Sequence, residues 1–521
     1  MKKKFIYYGM MMAALLATAS CSDSDSASKD FSNLSCVFQK ANISGTNMLA
    51  LASNAKGTRA GTSGNATISD PLFKVSSDGK LVSVQYTIDI QTKDKTDDQG
   101  NVIEPGFKET LKRDLQLTMS YIYPIGDKWL WLYDCALDQT GWDELPEGDE
   151  KGAIGYIIRE HGFNVQYLVR RSDGAIFRWE NAPKEILRPR GDYMSSEDIC
   201  GLVEPMGNDI VYVNNNRVVT LLKASGTSLS ETALSPADKK AMFVAPTSDG
   251  LIGTILTDAS TIAAHNFYGT GEACALTTSG QKTTIGEYDR YGNDISGYQD
   301  TESNRNRIRN GKELFAAGGK LYYITRDANG NTANYDLVKI NNGNVTFERK
   351  ATLTHPNATD GYYPYQMHRG HTGMAYPVFK TETMSFIDGY ETYTFDPTKP
   401  QLSIVPLPTH YARSPAAYYD GICYELSEDG SFPSKLWIGD QTKTVAEEVT
   451  INWSGVPQNI QGTLSKNDWF YWGGAQCFKA KATLTNGTPV TYVIYVAGSD
   501  KGKAKVIGEN DGKEVHTLLK L

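Results

Sequence analysis

A short turn followed by an apolar run recurs along this chain, and this repeat constrains the fold more than any other feature. The clearest copy is Gly318-Gly319-Lys320 before Leu321–Ile324, and most other copies use Asp-Gly or Asn-Asp as the turn. Glycine, asparagine and aspartate tolerate the left-handed backbone of turns, and aromatic and β-branched residues suit a sheet that is buried on both faces. The pattern therefore predicts nine turn-strand repeats. Their runs begin at Leu81, Trp129, Ala175, Ile210, Leu251, Leu321, Met374, Ile422 and Trp469.

The spacing of these runs indicates the architecture. Successive runs start 48, 46, 35, 41, 70, 53, 48 and 47 residues apart, which is close to the length of one four-stranded propeller blade. Immunoglobulin-like domains would repeat about every 100 residues. A helical solenoid would need amphipathic helices of about ten residues or more, which we do not find in the sequence. We predict an all-β chain that forms a β-propeller of seven or eight four-stranded blades, because the short gap between Ala175 and Ile210 would place two runs in one blade.

The N-terminus carries a targeting signal. Three lysines, Lys2 to Lys4, precede an apolar stretch from Phe5 to Leu16 that is short for a membrane span. Residues 1–20 are therefore predicted to be a signal peptide. Ala17-Thr18-Ala19-Ser20-Cys21 resembles a bacterial lipobox, although a leucine is usual where Thr18 stands. This resemblance implies that Cys21 is lipidated; the alternative is an ordinary secretory signal in which Cys21 is incidental.

Residues 21–32 are predicted to be a flexible, lipidated tether. The stretch Ser22-Asp23-Ser24-Asp25-Ser26 resembles the acidic export tag of Bacteroidetes lipoproteins that are displayed on the outer face of the outer membrane. Acyl chains would then hold the protein to that membrane. The remaining residues, 33–521, are assigned to one propeller domain, with Phe31–Leu51 as a candidate for the segment that closes the ring.

The composition restricts the partners and the disulfides. The net charge is −8, with 21% charged residues, which argues against a nucleic-acid partner, since that would require a basic face. After Cys21 the cysteines are far apart in the sequence, and we predict that most are free, buried thiols. They are Cys36, Cys135, Cys200, Cys274, Cys423 and Cys477.

A polar insertion near 280–312 is the first candidate for a ligand site. It has scarcely any hydrophobic run to bury, and we place it on the surface. If the repeated strand were the innermost of each blade, the loops before these strands would share one face with the insertion. Guanidinium groups bind carboxylate, catecholate or phosphate oxygens, and tyrosines stack on planar ligands or sugars. The predicted ligand-binding residues are Arg188, Arg190, Arg305, Arg307, Arg309, Tyr362, Tyr363, Tyr365, Arg369 and Arg413.

The sequence offers little that is specific to catalysis or to metal binding. His368 and His371 lack the pattern of a metal site, and Asp327 to Asp336 imitates a calcium loop but lacks its glycine and its glutamate, so a hairpin turn is the better interpretation. We find no nucleophile elbow, P-loop or dinucleotide fingerprint. Paired carboxylates for glycoside cleavage stay open, because such pairs meet in space. No cofactor is predicted.

The lipobox, the acidic tag and the propeller-like repeats together resemble the accessory surface lipoproteins that Bacteroidetes produce beside TonB-dependent transporters. The resemblance in specific motifs covers Leu15 to Ser26. It implies an outer-membrane protein, facing outward, that captures a nutrient such as an iron–siderophore complex, a peptide or a glycan and delivers it to a transporter complex. The alternative is a surface hydrolase or lyase that degrades glycans on a propeller scaffold.

Overall fold

The computed structural model describes most of the chain after the tether. The described residues are 34–54, 70–106, 108–111, 115–139, 141–161, 165–183, 201–226, 228–258, 270–289, 312–326, 332–354, 362–364, 368–369, 374–383, 386–395, 416–419, 422–439, 446–469, 471–472, 477–508 and 512–521. They are nearly all β, with one α-helix, α1 Asp149–His161, and two short 3-10 helices, Lys466–Trp469 and Gly498–Asp500.

The strands follow one another along the described chain with short turns. The first thirteen are β1 Leu34–Ala41, β2 Met48–Asn54, β3 Asp70–Val75, β4 Leu81–Ser83, β5 Tyr86–Thr92, β6 Lys95–Thr96, β7 Val102–Glu104, β8 Lys108–Thr110, β9 Leu117–Met119, β10 Tyr121–Ile125, β11 Trp129–Leu137, β12 Val165–Arg170 and β13 Ile176–Arg178. The next thirteen are β14 Val203–Met206, β15 Asp209–Val213, β16 Val219–Ser225, β17 Ser228–Ala233, β18 Lys239–Ala241, β19 Ala245–Pro246, β20 Leu251–Asp258, β21 Thr270–Thr277, β22 Lys282–Asp289, β23 Lys312–Ala317, β24 Lys320–Arg326, β25 Thr332–Asn341 and β26 Asn344–Thr354. The last thirteen are β27 Tyr362–Pro364, β28 His368–Arg369, β29 Met374–Thr383, β30 Phe386–Phe395, β31 Ala416–Tyr419, β32 Ile422–Leu426, β33 Lys435–Gly439, β34 Glu447–Thr450, β35 Tyr471–Trp472, β36 Cys477–Thr483, β37 Pro489–Tyr495, β38 Ala504–Ile507 and β39 Lys513–Lys520.

Most of these strands form antiparallel units in which sequence neighbours pair. Each unit has three or four strand positions in simple up-and-down order, and in two units the first position is shared by two short strands. We number eight units along the described chain: unit 1 β39-β2-β3-β4, unit 2 β10–β13, unit 3 β14–β17, unit 4 β18/β19-β20-β21-β22, unit 5 β23–β26, unit 6 β27/β28-β29-β30, unit 7 β31–β34 and unit 8 β35–β38.

Two additional pairings join neighbouring units into larger sheets. Strand β9 pairs with both β3 and β11, and Asp289 of β22 pairs with Lys312 of β23. Units 1 and 2 therefore belong to one nine-stranded sheet, and units 4 and 5 belong to another. In unit 1 the last strand of the described chain, β39, pairs with β2 over seven register positions from Met48↔Lys520 to Asn54↔Lys513. The first and last parts of the chain therefore share a sheet, and β2 begins within the segment that we selected as the closing candidate.

The repeated apolar runs mostly form the second strand of a unit, not an innermost one. β11, β15, β20, β24, β29 and β32 each have sheet neighbours on both sides. The runs are apolar without interruption because consecutive residues, which point to opposite faces of the sheet, are all buried. This holds for β11 from Trp129 to Tyr133 and for β24 from Leu321 to Ile324. The premise that the repeated strand lies at the inner edge is wrong, because an edge strand would not need burial on both faces and pairing on both sides.

Four runs depart from the predicted pattern. The run at Leu81 forms β4 at the edge of unit 1, where Val82 is 48% exposed. The run at Trp469 does not begin a strand, because Lys466–Trp469 is a 3-10 helix and β35 starts at Tyr471. The runs at Trp129 and Ala175 lie in the same unit, as β11 and β13, so the short gap after Ala175 did not identify the shared unit. Helix α1 lies between β11 and β12, and the residues that it adds separate the two runs by almost one blade length.

Helix α1 itself was missed by the sequence analysis, because Gly152 and Gly155 weaken the helical pattern. Its apolar side is nevertheless fully buried, with Ala153 and Ile157 at 0% exposure and Ile154 at 2%. Gly155 faces the ring of Trp142, which a Cβ would meet at 3.5 Å. Tertiary packing against this ring and against the surrounding core therefore outweighs the low helix propensity of the two glycines.

The hydrophobic cores lie between successive units. One cluster of buried side chains joins units 2 and 3, another joins units 3 and 4, a third joins units 4 and 5, and a fourth joins units 7 and 8. A further cluster packs Phe73 and Val515 of unit 1 against Val493 and Ile507 of unit 8. Units 1 to 5 therefore pack against one another in sequence order, unit 7 packs against unit 8, and unit 8 contacts unit 1.

A separate three-stranded sheet, β1-β5-β8, lies beside units 1 and 2 and shares their core with α1. The hairpin β6–β7 projects from it, with Gly100 in the left-handed region at φ +84°. Asp97 accepts hydrogen bonds from the N–H groups of Gln99 and Asn101 in the same turn. Gln99 and Gly100 therefore form the exposed tip of this hairpin.

Candidate functional site

The predicted arginine and tyrosine site falls mainly outside the described residues. The structure describes the backbone of three of its members: Tyr362 and Tyr363 pair with Lys380 and Phe379, and Arg369 pairs with Met374. These residues occupy β27 and β28, which share the first strand position of unit 6. The others, together with Cys21, lie outside the described residues: Arg188, Arg190, Arg305, Arg307, Arg309, Tyr365 and Arg413. Within the polar insertion, Lys282–Asp289 forms β22, and 290–311 are not described.

The described residues also form a polar cleft that the sequence analysis did not select. It has a volume of about 680 Å³, and we call it the turn-end cleft. The first-to-second and third-to-fourth turns of unit 2 and the first-to-second turn of unit 3 meet there with the segment that connects β1 to β2. Its lining residues are Ile43, Gly45, Thr46, Asn47, Asp127, Lys128, Trp129, Arg170, Arg171, Ser172, Asn208, Asp209, Ala224 and Leu521.

Hydrogen bonds fix the turns around this cleft. The backbone N–H of Arg171 donates to the carbonyl of Lys128 at 2.8 Å, which joins the two turns of unit 2. Lys128 Nζ donates to Asn208 Oδ1 at 2.7 Å, and Trp129 Nε1 donates to the carbonyl of Asn208 at 3.1 Å, so unit 3 is held against unit 2. The cleft walls are therefore set by contacts that need no ligand.

A glycine in the turn between β12 and β13 allows the chain to pass very close to β1. Gly174 has φ +73°, and a Cβ there would lie 2.1 Å from the carbonyl oxygen of Ala41. The N–H of Ala41 donates to the carbonyl of Gly174 at 2.8 Å. Only glycine fits this close approach in a left-handed turn, which accounts for the Asp-Gly sequence at this position.

The cations of the cleft differ in how their charge is satisfied. Arg170 donates two hydrogen bonds to the carboxylate of Asp173, at 3.0 and 2.8 Å, and lies over the ring of Phe177. Arg171 has no hydrogen bond or ion pair from its guanidinium to any described residue. Burial lowers the pKa of Arg171, and the charge of Asp127 partly opposes this shift. Arg171 is thus a half-buried cation without a salt-bridge partner in the described part of the chain.

A second polar group of side chains lies at the opposite strand ends, between units 1 and 8. We call Ser53, Asp70, Lys481, Glu514 and His516 the His516 cluster. Ser53 Oγ is 2.7 Å from His516 Nε2, and Lys481 Nζ lies 3.2 Å from His516 Nδ1 and 3.0 Å from Glu514 Oε1. Asp70 Oδ2 is 3.7 Å from Nε2. Lys479, only 3% exposed, donates from Nζ to the carbonyl of His516.

The His516 cluster does not have the arrangement of a nucleophilic triad. An ammonium group only donates, so His516 Nδ1 accepts from Lys481 and the proton of the neutral imidazole is on Nε2. Nε2 then donates to Ser53 Oγ, whereas a serine nucleophile must donate its own proton to the imidazole. Asp70 also lies on the Nε2 side, not behind Nδ1. We interpret the cluster as a polar junction between the first and last units.

Two further predictions can be checked on described residues. Cys36, Cys135, Cys274 and Cys477 are free, and the last three are buried, as predicted; burial raises the pKa of Cys36 to about 12. The side chains of Cys200 and Cys423 lie outside the described set. β24 and β25, which flank residues 327–331 of the predicted hairpin turn, pair as antiparallel neighbours, and Asp336 on β25 binds Arg349 of β26; residues 327–331 themselves lie outside the described set.

Searches of the described residues for a metal cluster and for a membrane span were both negative. No group of three or more histidine, cysteine, aspartate and glutamate side chains is arranged to hold a metal ion in the described ranges. Within those ranges, no helix has the length and apolar character that a membrane crossing requires.

Comparisons with known proteins give no family. No protein-family model matches the sequence, and no curated protein is similar to it. Among solved structures, an oligogalacturonate lyase in complex with manganese is 12% identical, with a TM-score of 0.29 over 64% of this chain and 84% of the lyase. A puromycin hydrolase is 12% identical, with a TM-score of 0.33 over 74% of this chain and 52% of the hydrolase.

A third solved structure is the β-propeller domain of Cps50 (Swd1) from Myceliophteria thermophila. It is 10% identical, with a TM-score of 0.28 over 75% of this chain and 97% of that domain. This chain spans about half the length of the puromycin hydrolase and most of the length of the other two proteins. At these identities and TM-scores the similarity says nothing about ligand or activity, and the proposals below rest on the chain's own residues.

Proposed function

We propose that the chain is a cell-surface, ligand-binding lipoprotein whose units are the blades of a β-propeller. The eight units support a blade number at the upper end of the predicted seven or eight. Buried clusters between successive units, and the cluster between units 8 and 1, are the contacts that a ring of blades requires. The pairing of β39 with β2 supports closure of that ring by strands from both ends of the chain.

The ligand site of this proposal is the set of arginines and tyrosines selected from the sequence. The observation that carries it is the strand order: 184–200, 290–311, 355–361 and 396–415 each follow the last described strand of one unit and precede the first strand of the next. In a four-stranded up-and-down unit, connections of this kind leave from one end, and first-to-second turns leave from the other. Arg188, Arg305 and Arg413 would then share one face with Tyr362 of β27.

This strand order replaces the premise that the repeated strand is innermost. It removes Arg369 from the predicted set, because Arg369 pairs with Met374 beside the first-to-second turn of unit 6, at the opposite end from Tyr362, which pairs with Lys380. The other predicted residues are kept. A rim of guanidinium and phenol groups suits an anionic or aromatic cargo, such as a ferric siderophore, an acidic peptide or an acidic glycan. The face need not be basic overall, since a local patch can oppose the net charge of −8. No nucleic-acid partner is proposed.

We infer that the protein reaches the extracellular face of the outer membrane through acyl chains on Cys21 and passes its ligand to a TonB-dependent transporter complex. Replacing Cys21 with Ala should release the protein from the membrane fraction. Protease added to intact cells should cleave the wild-type protein. Membrane retention of C21A would overturn lipidation at Cys21, and full protection of the wild type would overturn surface display.

Ligand binding is tested by titrating the full-length protein with ferric siderophores, peptides and acidic glycans. Each charged contact that is fully engaged should contribute about 1.5 to 3 kcal/mol, so Arg305→Ala and Arg307→Ala should each weaken binding by about tenfold or more. Arg159→Ala on α1 is the matched control and should bind as the wild type does. Unchanged affinity in both variants would overturn this site, and turnover of a bound glycan would favour the hydrolase or lyase alternative.

A further inference from the structure

The turn-end cleft has no place in the function proposed above. Its charged residues come from first-to-second and third-to-fourth strand turns of units 2 and 3, which leave these units at the ends opposite to the connections that carry the proposed ligand face. A second binding role would therefore be independent of the first. The cleft is built from described residues with fixed hydrogen bonds, so its chemistry can be examined directly.

Two of the cations in the cleft have no salt bridge within the described residues. Its lining includes three cations, Lys128, Arg170 and Arg171, and two carboxylates, Asp127 and Asp209. Arg170 is already paired with Asp173. Lys128 binds the neutral amide of Asn208 and has no ion pair within the described ranges. Arg171 likewise has no salt bridge within those ranges, so two cations in one cleft are available to an anion.

Arg171 loses part of the hydration of its guanidinium in the cleft, which costs free energy that a fully solvated arginine would not lose. Its guanidinium is partly removed from water, as the lowered pKa indicates, and it receives no hydrogen-bond acceptor from the described residues in return. A guanidinium presents five donors in a planar fork that matches a carboxylate. The hydrogen bond between the backbone N–H of Arg171 and the carbonyl of Lys128 holds the two turns side by side. The guanidinium of Arg171 and the ammonium of Lys128 can therefore bind the same anion.

The other lining groups indicate what the rest of the ligand contains. Thr46, Asn47, Ser172 and Asn208 offer hydroxyl and amide groups, which suit hydroxyl groups on a ligand. Asp127 and Asp209 would repel a second negative charge, which favours a ligand with one carboxylate over a dianionic phosphate. We propose that the turn-end cleft binds a small monocarboxylate that bears hydroxyl groups, with its carboxylate held by Arg171 and Lys128.

The test uses three probes that separate charge from shape. Glucuronate and glucose differ by a carboxylate in place of a hydroxymethyl group, and inorganic phosphate supplies an anion without the sugar. Isothermal titration of the full-length protein should give binding of glucuronate at least tenfold tighter than binding of glucose or phosphate. Raising the salt concentration should weaken the binding of glucuronate, because part of the interaction is electrostatic.

Variants then assign the binding to named residues. Arg171→Gln should weaken glucuronate binding by about tenfold to a hundredfold, as expected for a charged hydrogen-bonded contact, and Lys128→Gln should weaken it less. Arg159→Gln, on α1 and away from the cleft, is the control and should leave affinity unchanged. The proposal is overturned if wild-type protein does not bind glucuronate, if glucose or phosphate binds equally well, or if Arg171→Gln binds as tightly as the wild type. None of these outcomes depends on Arg305 or Arg307, so the ligand face proposed above stands or fails separately.

Discussion

The His516 cluster and the turn-end cleft are both polar, both lie where neighbouring units meet, and both contain cations close to carboxylates. They differ in how the polar groups are satisfied. In the His516 cluster, Lys481 binds Glu514 and Nδ1 of His516, and Ser53 forms a hydrogen bond with the other ring nitrogen, Nε2. In the cleft, the guanidinium of Arg171 contacts no acceptor among the described residues. A network that uses its own donors and acceptors stabilises a junction, whereas a donor without an acceptor is available to a ligand.

This difference should appear first in stability, because the two regions depend on their polar side chains to different degrees. The largest effect is expected at Lys479, whose ammonium is buried and donates to the carbonyl of His516. Lys479→Ala removes this bond and the packing of the stem, and it should lower the free energy of unfolding by about 3 kcal/mol in urea titrations. Lys481→Ala, two residues along β36 and 38% exposed, should cost about 1 kcal/mol or less. Equal costs for the two lysines would mean that β36 is not buried against β39 as described.

The second prediction compares one hydrogen bond in each region at the same length. Ser53 to His516 and Lys128 to Asn208 are both 2.7 Å, but the first is partly buried and the second is exposed. A double-mutant cycle with Ser53→Ala and His516→Gln should give a coupling energy of about 1 kcal/mol. The matched cycle with Lys128→Ala and Asn208→Ala should give less than about 0.5 kcal/mol. A stronger coupling in the exposed pair would reverse the distinction between a structural junction and a ligand-accessible cleft.

The sequence predicted the all-β character and the turns, because both depend on local residue chemistry. Asp-Gly and Gly-Gly turns followed by β-branched and aromatic runs specify turn and strand with little tertiary help, and Leu321–Ile324 is buried as expected. Helix α1 was missed because its stability comes from packing against Trp142 and the core, which two glycines conceal in the sequence. The pairing of β2 with β39 joins residues as far apart as Met48 and Lys520, 472 positions along the chain, and no local pattern specifies such a partner.

The cleft could not be selected from the sequence for a related reason. Asp127-Lys128 and Asn208-Asp209 had a sufficient explanation as turn residues, and Arg170-Arg171 precedes another turn. Their second role depends on two turns of unit 2 meeting one turn of unit 3, which is a tertiary property. The signal that was present is the arginine pair itself, since the Asp173 carboxylate can pair with only one of the two guanidinium groups at close range.

The third prediction uses that arginine pair as an internal comparison. Arg170→Leu breaks the two-bond contact to Asp173 and the contact with the Phe177 ring, and it should lower the free energy of unfolding by about 1 kcal/mol. Arg171→Leu removes a half-buried cation without a partner, and it should leave stability unchanged or raise it by about 0.5 kcal/mol. Chemical denaturation of both variants checks this. A larger loss from Arg171→Leu than from Arg170→Leu would show that Arg171 has a structural role and would remove the basis for the cleft as a site.

The smallest expected effect is at Asp429, a turn carboxylate that receives its donors from its own turn, in contrast to Arg171. Burial alone would raise the pKa of Asp429, but hydrogen bonds from the hydroxyls of Ser427 and Ser434 and from the N–H of Ser434 outweigh it and lower the pKa from 3.8 to about 2. A depressed pKa in the folded state stabilises the fold above the unfolded value, and this contribution is lost as the pH falls toward 2.

Asp429→Asn should therefore lower the free energy of unfolding at neutral pH by less than about 1 kcal/mol, because the carboxylate is largely exposed and water screens its contacts. The difference from wild type should shrink as the pH falls from about 4 to about 2, where the wild-type carboxylate takes up a proton in both states. Asp238→Asn is the control, since Asp238 is exposed and makes no side-chain hydrogen bond within the described ranges. A difference for Asp429→Asn that persists unchanged at pH values near 2 would mean that the turn is stabilised by the shape of the side chain and not by its charge. Asp429 would then no longer serve as a comparison for Arg171, and the argument that Arg171 finds its hydrogen-bond acceptor in a ligand would depend on the cleft residues alone.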